Sequence, residues 1–162
     1  MNEGTDGILA SASYTIAGSA HVESMKTILS GATTAINFTG NEFGQYLFGN
    51  DGANVINGKG GPDTLSGIQG DDTFVFDSAL TSDNADWILD FNVVDDIIHL
   101  SVFTGLVAGA LGAAAFHIGV AAADALDRII YNSDTGTLLF DGDGNGAGQA
   151  PKFASLSDRS SI

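Results

Sequence analysis

Large apolar residues return every nine positions through the middle of the chain, at Leu47, Ile56, Leu65 and Phe74. Leu29 and Phe38 fall on the same beat further back. Seven residues before each of the four stands a glycine, at Gly40, Gly49, Gly58 and Gly67, and Gly31 keeps the phase upstream. Two residues before each stands an amide or an acid, at Gln45, Asn54, Asp63 and Asp72. A period of nine is neither a helix nor a lone strand. It fits a unit of one short strand and one tight turn, stacked on copies of itself. The second half of each unit reads as the strand, as in residues 54–57 and 72–76. The first half reads as the turn, where glycine permits positive φ and close approach of neighbouring backbone. The apolar beat therefore predicts a stacked coil from Leu29 to Phe74.

Three zones follow, within one continuous domain. Residues 1–39, rich in Ser, Thr and Ala, read as early rungs whose turns have lost their glycines. Residues 40–76 are the regular repeat. Residues 77–162 do not repeat. There, 86–91 and 96–100 read as strands, and the Gly/Ala-rich stretch 105–126 as one or two short helices. Residues 128–141 read as a hairpin around the turn Ser133-Asp134-Thr135-Gly136, and 152–156 as a last strand.

Composition narrows the function. The chain has 162 residues, with 20 acids against 5 bases and a net charge of −15. That argues against nucleic acid and anionic membranes as partners, since both need a basic surface. With 44% apolar residues and ten phenylalanines, the acidity belongs to a packed protein rather than a disordered one. There is no cysteine; a small secreted domain without disulfides needs another staple, usually a metal, though lack of cysteine alone does not indicate secretion. The first seven residues carry two acids and no basic region, and predict no N-terminal signal peptide. Ser101 to Ala123 is uncharged and long enough to cross a bilayer. It is mostly Ala and Gly with His117 inside, so it is expected to be a buried cap segment and not a membrane span.

The units at 49–76 match the pattern G-G-x-G-x-D-x-U-x, with U a large apolar residue. The chain resembles the RTX family, whose nonapeptide repeats bind calcium. The resemblance implies an all-β, right-handed parallel β-roll with calcium-binding turns, followed by a β-rich C-terminal cap with one or two short helices. Two units make one coil, so equivalent turns stack every 18 residues with calcium between them. Calcium is a hard cation that takes six to eight oxygens. Carried over, one site would use the side chains of Asn54 and Asp72 with the carbonyls of Asn50, Gly52, Gly67 and Gln69. A second would use Asp63 with the carbonyls of Lys59 and Gly61, and a partner turn at Asp77 or Asp86. The turn at Gly40 is a poorer match, because Phe43 and Gln45 replace the glycine and acid of the pattern. About two or three ions are expected.

The later segments Asp72-Thr-Phe-Val-Phe76, Asp86-Trp-Ile-Leu-Asp-Phe91 and Asp96-Ile-Ile-His-Leu-Ser101 are similar to those that follow the repeats in serralysin-type secreted proteins. His99 stands where an acid is usual. This similarity implies that Asp86 and Asp96 bind a further calcium. Asp141-Gly-Asp-Gly-Asn-Gly146 imitates part of an EF-hand loop, but Lys152 takes the place of the bidentate Glu, and a polar hairpin loop is expected.

No catalytic pattern competes. H-E-x-x-H and G-x-S-x-G are absent, and His21, His99 and His117 share no ligand spacing. His99 and His117 sit among apolar residues and are expected in or at the edge of the core. The resemblance implies a non-catalytic, secreted bacterial module, exported by type I machinery through an uncleaved C-terminal signal and folded by extracellular calcium. Residues 157–162 would be a short, atypical signal. Two alternatives stay open: the C-terminal part of a larger secreted metalloprotease, lipase or alginate epimerase, and an extracellular carbohydrate-binding or adhesin-like module.

Overall fold

The computed structural model describes residues 4–101, 103, 105–106, 108–144 and 150–157. The chain alternates between two sheets. β1 (Gly7–Ala10), β3 (Ser24–Thr27), β5 (Tyr46–Asn50), β7 (Thr64–Ile68) and β9 (Asp86–Ile88) lie in parallel in the larger sheet. β2 (Tyr14–Thr15), β4 (Phe38–Thr39), β6 (Val55–Asn57), β8 (Thr73–Phe76) and β10 (Ile97–Leu100) lie in parallel in the smaller one. Each odd strand and the even strand after it complete one circuit of a stacked coil.

The beat explains the interior. Phe38 is level with Ile56, Ile56 with Phe74, and Leu47 with Leu65. All five are fully buried. Each such side chain contributes about 1.5–3 kcal/mol on leaving water. One cluster of buried residues runs from Ala10 to Leu156.

The beat does not reach Leu29, which is 69% exposed. Met25, fully buried and level with Leu47, fills the place expected for it. The link from β3 to β4 is longer than a repeat turn, so Leu29 is carried out of phase into that link. The same lengthening follows the repeat: Ile88 is level with Leu65 and Ile98 with Phe74, at more than two repeat lengths.

Beyond the coil, β11 (Phe116–Ile118), β12 (Ile129–Asn132), β13 (Thr137–Phe140) and β14 (Lys152–Leu156) extend the larger sheet. β12 and β13 form the expected antiparallel hairpin. β14 lies between β13 and β9, antiparallel to the first and parallel to the second, and so seals this cap to the last rung of the coil. Phe76, Phe103, Phe140 and Phe153 meet edge to face beneath that seam, with centroids 4.8–5.3 Å apart.

The expected helices are not α-helices. Among the described residues of that stretch only a 3₁₀ turn at Ala113–Ala115 occurs, followed directly by β11. Gly105 and Gly109 take φ of +88° and +120°, which interrupts helix growth. Nor is the uncharged run a buried segment, since its described residues from Ala108 to Ala114 are exposed. Alanine and glycine offer too little apolar area to drive their burial. No helix among the described residues is long and apolar enough to cross a membrane. The strand expected at 86–91 ends at Ile88, and that expected from Asp96 begins at Ile97. His99 is exposed and not in the core, while His117 is half-buried on β11.

Candidate metal-binding turns

The turns stack in two columns, one along each edge of the coil. A Cβ on Gly61 would lie 2.6 Å from the backbone of Phe43, and one on Gly70 would lie 2.9 Å from that of Gly52. Thus turn 58–63 rests on turn 40–45, and turn 67–72 on turn 49–54. Both glycines also take left-handed φ, +82° and +112°.

The sixth residue of each turn ties the column together. Asp63 Oδ1 accepts the amide of Gln45 at 2.7 Å, and Asp86 Oδ1 accepts that of Asp63 at 3.0 Å. In the other column Asp72 Oδ1 accepts the amide of Asn54 at 2.8 Å, and Asp96 Oδ1 that of Asp72 at 2.9 Å. Asp86 and Asp96 are therefore the sixth residues of lengthened turns. They belong to different columns, Asp86 beside Asp63 and Asp96 beside Asp72.

A second contact explains the first glycine of each unit. A Cβ on Gly58 would collide with Asp63 Oδ2, and a Cβ on Gly67 with Asp72 Oδ2. Each carboxylate folds back over its own turn into the space that the glycine leaves.

The columns contain two kinds of turn. In the earlier kind, amides fill every role. Asn54 Oδ1 accepts the amide of Asn50 at 2.8 Å, and Asn54 Nδ2 donates to Asn50 Oδ1 at 2.8 Å and to Ile36 O at 3.0 Å. Asn50 Nδ2 donates to Thr34 O. Asn41 and Gln45 repeat the arrangement, with Asn41 Nδ2 bonded to Ala17 O and Ala20 O. The side chain of Asn54, expected as a metal ligand, instead closes its own turn.

In the later kind, carboxylates replace the amides. Asp63 is 2% exposed, and its Oδ2 is buried without a hydrogen-bond partner. Burial and then the charge of Asp86 push its pKa up to about 9, against the pull of the Gln45 amide. Burial raises Asp86 to about 7 and Asp72 to about 6, the latter helped by the charges of Asp96, Asp90 and Asp71. Burial raises Asp96 as well. At neutral pH such groups need protons or a cation.

Lys59 supplies one positive charge at this edge. Its Nζ pairs with Asp77 Oδ2 at 2.6 Å, while Asp77 Oδ1 is buried with no partner. Its carbonyl receives a long bond, 3.5 Å, from Asn84 Nδ2. Lys59 and Ile68 both take positive φ, +71° and +86°, where the repeat pattern has glycine. Gly67 and Gln69 flank Ile68 in the second column, and the amides of Gly67 and Ile68 donate to Asp90.

The donor set here is oxygen throughout, from carboxylates and main-chain carbonyls, with buried oxygens lacking partners. That suits a hard divalent cation. Among the described residues no three His, Asp or Glu side chains gather as a metal cluster, so part of any coordination shell must come from carbonyls. Asp90 was not picked out from the sequence, and Asn50 and Asn54 were picked out as metal ligands and not as a hydrogen-bonded pair. The signal of the pair was an Asn four residues before the sixth-position side chain, as in Asn41–Gln45, Asn50–Asn54 and Asn92–Asp96. In the loop at 141–146, Asp141 Oδ1 accepts the amides of Asp143 and Gly144. Its last two residues, and 158–162 of the expected export signal, lie outside the described residues. No family model matches the chain, and no curated protein matches it at a significant level.

Proposed function

We propose that the chain is a calcium-binding β-roll module of the RTX type, non-catalytic by itself, that folds on meeting calcium after export by a type I system. The observation that carries this reading is the pair of buried carboxylate columns, Asp63 over Asp86 and Asp72 over Asp96, with Asp63 Oδ2 left without a partner. Calcium would neutralise these charges in place. Asp63 and Asp86 with the carbonyls of Lys59 and Gly61 would hold it in one column. Asp72 and Asp96 with the carbonyls of Asn50, Gly52, Gly67 and Gln69 would hold it in the other.

Where calcium is scarce, carboxylates gathered in this way repel one another and glycine-rich turns gain entropy by opening. Sites in the range of roughly 10⁻⁴–10⁻³ M, as in extracellular modules, fill only outside the cell. Binding to the folded state alone then drives folding. Three ions would lower the net charge from −15 to about −9. The test is circular dichroism and isothermal titration at pH 8. Strand signal and a cooperative melt should develop as calcium is added to the chelated protein. A chain equally folded in excess chelator would sink the proposal.

A further inference from the structure

The outward face of the larger sheet carries a row of side chains that the calcium reading leaves unused. Strand register sets Ser24, Tyr46, Thr64, Trp87, Ser155 and Thr137 level with one another across six neighbouring strands. Tyr46 and Trp87 are 55% and 54% exposed. They stand two strands apart with Thr64 between them, a backbone separation of about 9.5 Å. Two exposed aromatic rings on a flat, regular surface, with hydroxyls between and beyond them, differ from the scattered apolar residues of an ordinary surface.

The net charge is −15, yet no Asp or Glu stands in the row. Lys26 and Lys152 flank it. Lys26, on β3, lies with Nζ 4.8 Å from the ring centre of Phe48, one level along from Tyr46. Lys152, on β14, lines a cleft of about 370 Å³ together with Trp87, Thr135, Ser155 and the metal-column acid Asp86. Among the described residues neither lysine is in an ion pair. Asp90 reaches Ser66 at the next level, but its oxygens are occupied by Ser66 Oγ and the amides of Gly67 and Ile68.

We propose that this row is a binding platform for an extended acidic polysaccharide built of uronate sugars. Sugar rings present C–H faces that lie flat on Tyr and Trp, whose rings join an apolar body to a polar edge. A polymer of regular rise suits rings set at a regular strand spacing. Thr64 and Ser155 offer hydroxyls between the stacked sugars, and Lys26 and Lys152 offer unpaired positive charge to the carboxylates. A second copy of the chain is less well matched, because the row alternates rings with hydroxyls and offers no continuous apolar patch.

Trp87 is the sole tryptophan of the chain, so its emission reports directly on the platform. Oligogalacturonate and a neutral xylo-oligosaccharide of equal length would each be titrated into the full chain, with folding followed separately by circular dichroism. Uronate should shift Trp87 emission, less so at high salt, and the neutral sugar should leave it nearly unchanged. In affinity electrophoresis on a uronate gel, Trp87→Ala and Lys152→Gln should each weaken binding about tenfold. Tyr14→Ala, at an exposed tyrosine of the other sheet, should leave it unchanged, and Trp87→Tyr should retain most of it. The proposal is overturned by a silent Trp87 in the folded protein, by an equal response to the neutral sugar, or by full uronate binding in folded Trp87→Ala, which would mean calcium bridging elsewhere. A concentration-dependent emission shift without sugar would also overturn it, by showing that another copy covers the face.

Discussion

Asn54 and Asp63 hold the same place in successive turns and differ only in an amide nitrogen set against a carboxylate oxygen. Asn54 meets all its hydrogen-bonding needs within protein. Asp63 leaves one buried oxygen unmet. The consequence appears in pH dependence. Asp63, Asp86 and Asp72 have pKa values raised to about 9, 7 and 6 in the folded chain. When unfolded, each titrates near the ordinary carboxylate value of about 4. The metal-free fold therefore retains protons that the unfolded chain gives up. Its stability is fullest below about pH 4 and is lost as pH climbs through the raised values. Thermal melts in chelator should fall steadily between pH 5 and pH 9, with calcium flattening the decline. Asp63→Asn should raise metal-free stability at pH 8 and weaken the calcium response. A metal-free stability that rises with pH would contradict this account.

Among elements, the two kinds of turn divide the labour along each column. Amide-filled turns at 40–45 and 49–54 are closed by their own side-chain hydrogen bonds, and carboxylate turns at 58–63 and 67–72 depend on what neutralises them. Asn50→Ala should therefore cost about 1–3 kcal/mol both with calcium at pH 8 and in chelator at pH 5, where protons stand in for the metal, because it orphans buried partners. Asp72→Asn should cost stability only when calcium is present. Paired denaturant titrations of the two variants check this, and a calcium-dependent cost for Asn50→Ala would contradict it. Much of the stacking was legible in the sequence, because period-nine burial puts Leu47 on Leu65 and Ile56 on Phe74 without further information. The outer rungs were not. Their links vary in length, so Met25 replaced Leu29 and the register could not be counted forward to Ile88 or Ile98. In the site, the acids at Asp63 and Asp72 were legible from the repeat. The role of the Asn50 side chain was hidden, because the repeat pattern assigned Asn50 only a carbonyl and says nothing of a side chain bonded to Asn54.

At the scale of the molecule, β14 decides whether coil and cap form one body. It is hydrogen-bonded on both sides, to β9 and β13, above the Phe76–Phe103–Phe153 cluster. Proline in a central strand removes a ladder donor and forces the neighbours apart. Ala154→Pro should cost about 3 kcal/mol or more, and split the unfolding curve into separate cap and coil transitions. The same change at Ile118 on the edge strand β11 should cost far less, and equal costs would refute the assigned role of β14. Ala154 and Asp86 also lie 68 residues apart along the chain. Joining them spends loop-closure entropy before any pairing energy returns, and such long-range contacts are slow to form. The rungs of the coil are joined by short turns and can assemble one upon another. The larger sheet stays interrupted until this five-residue strand arrives. The time needed to complete the molecule is thus governed by one late docking event, however quickly the repeats themselves take shape.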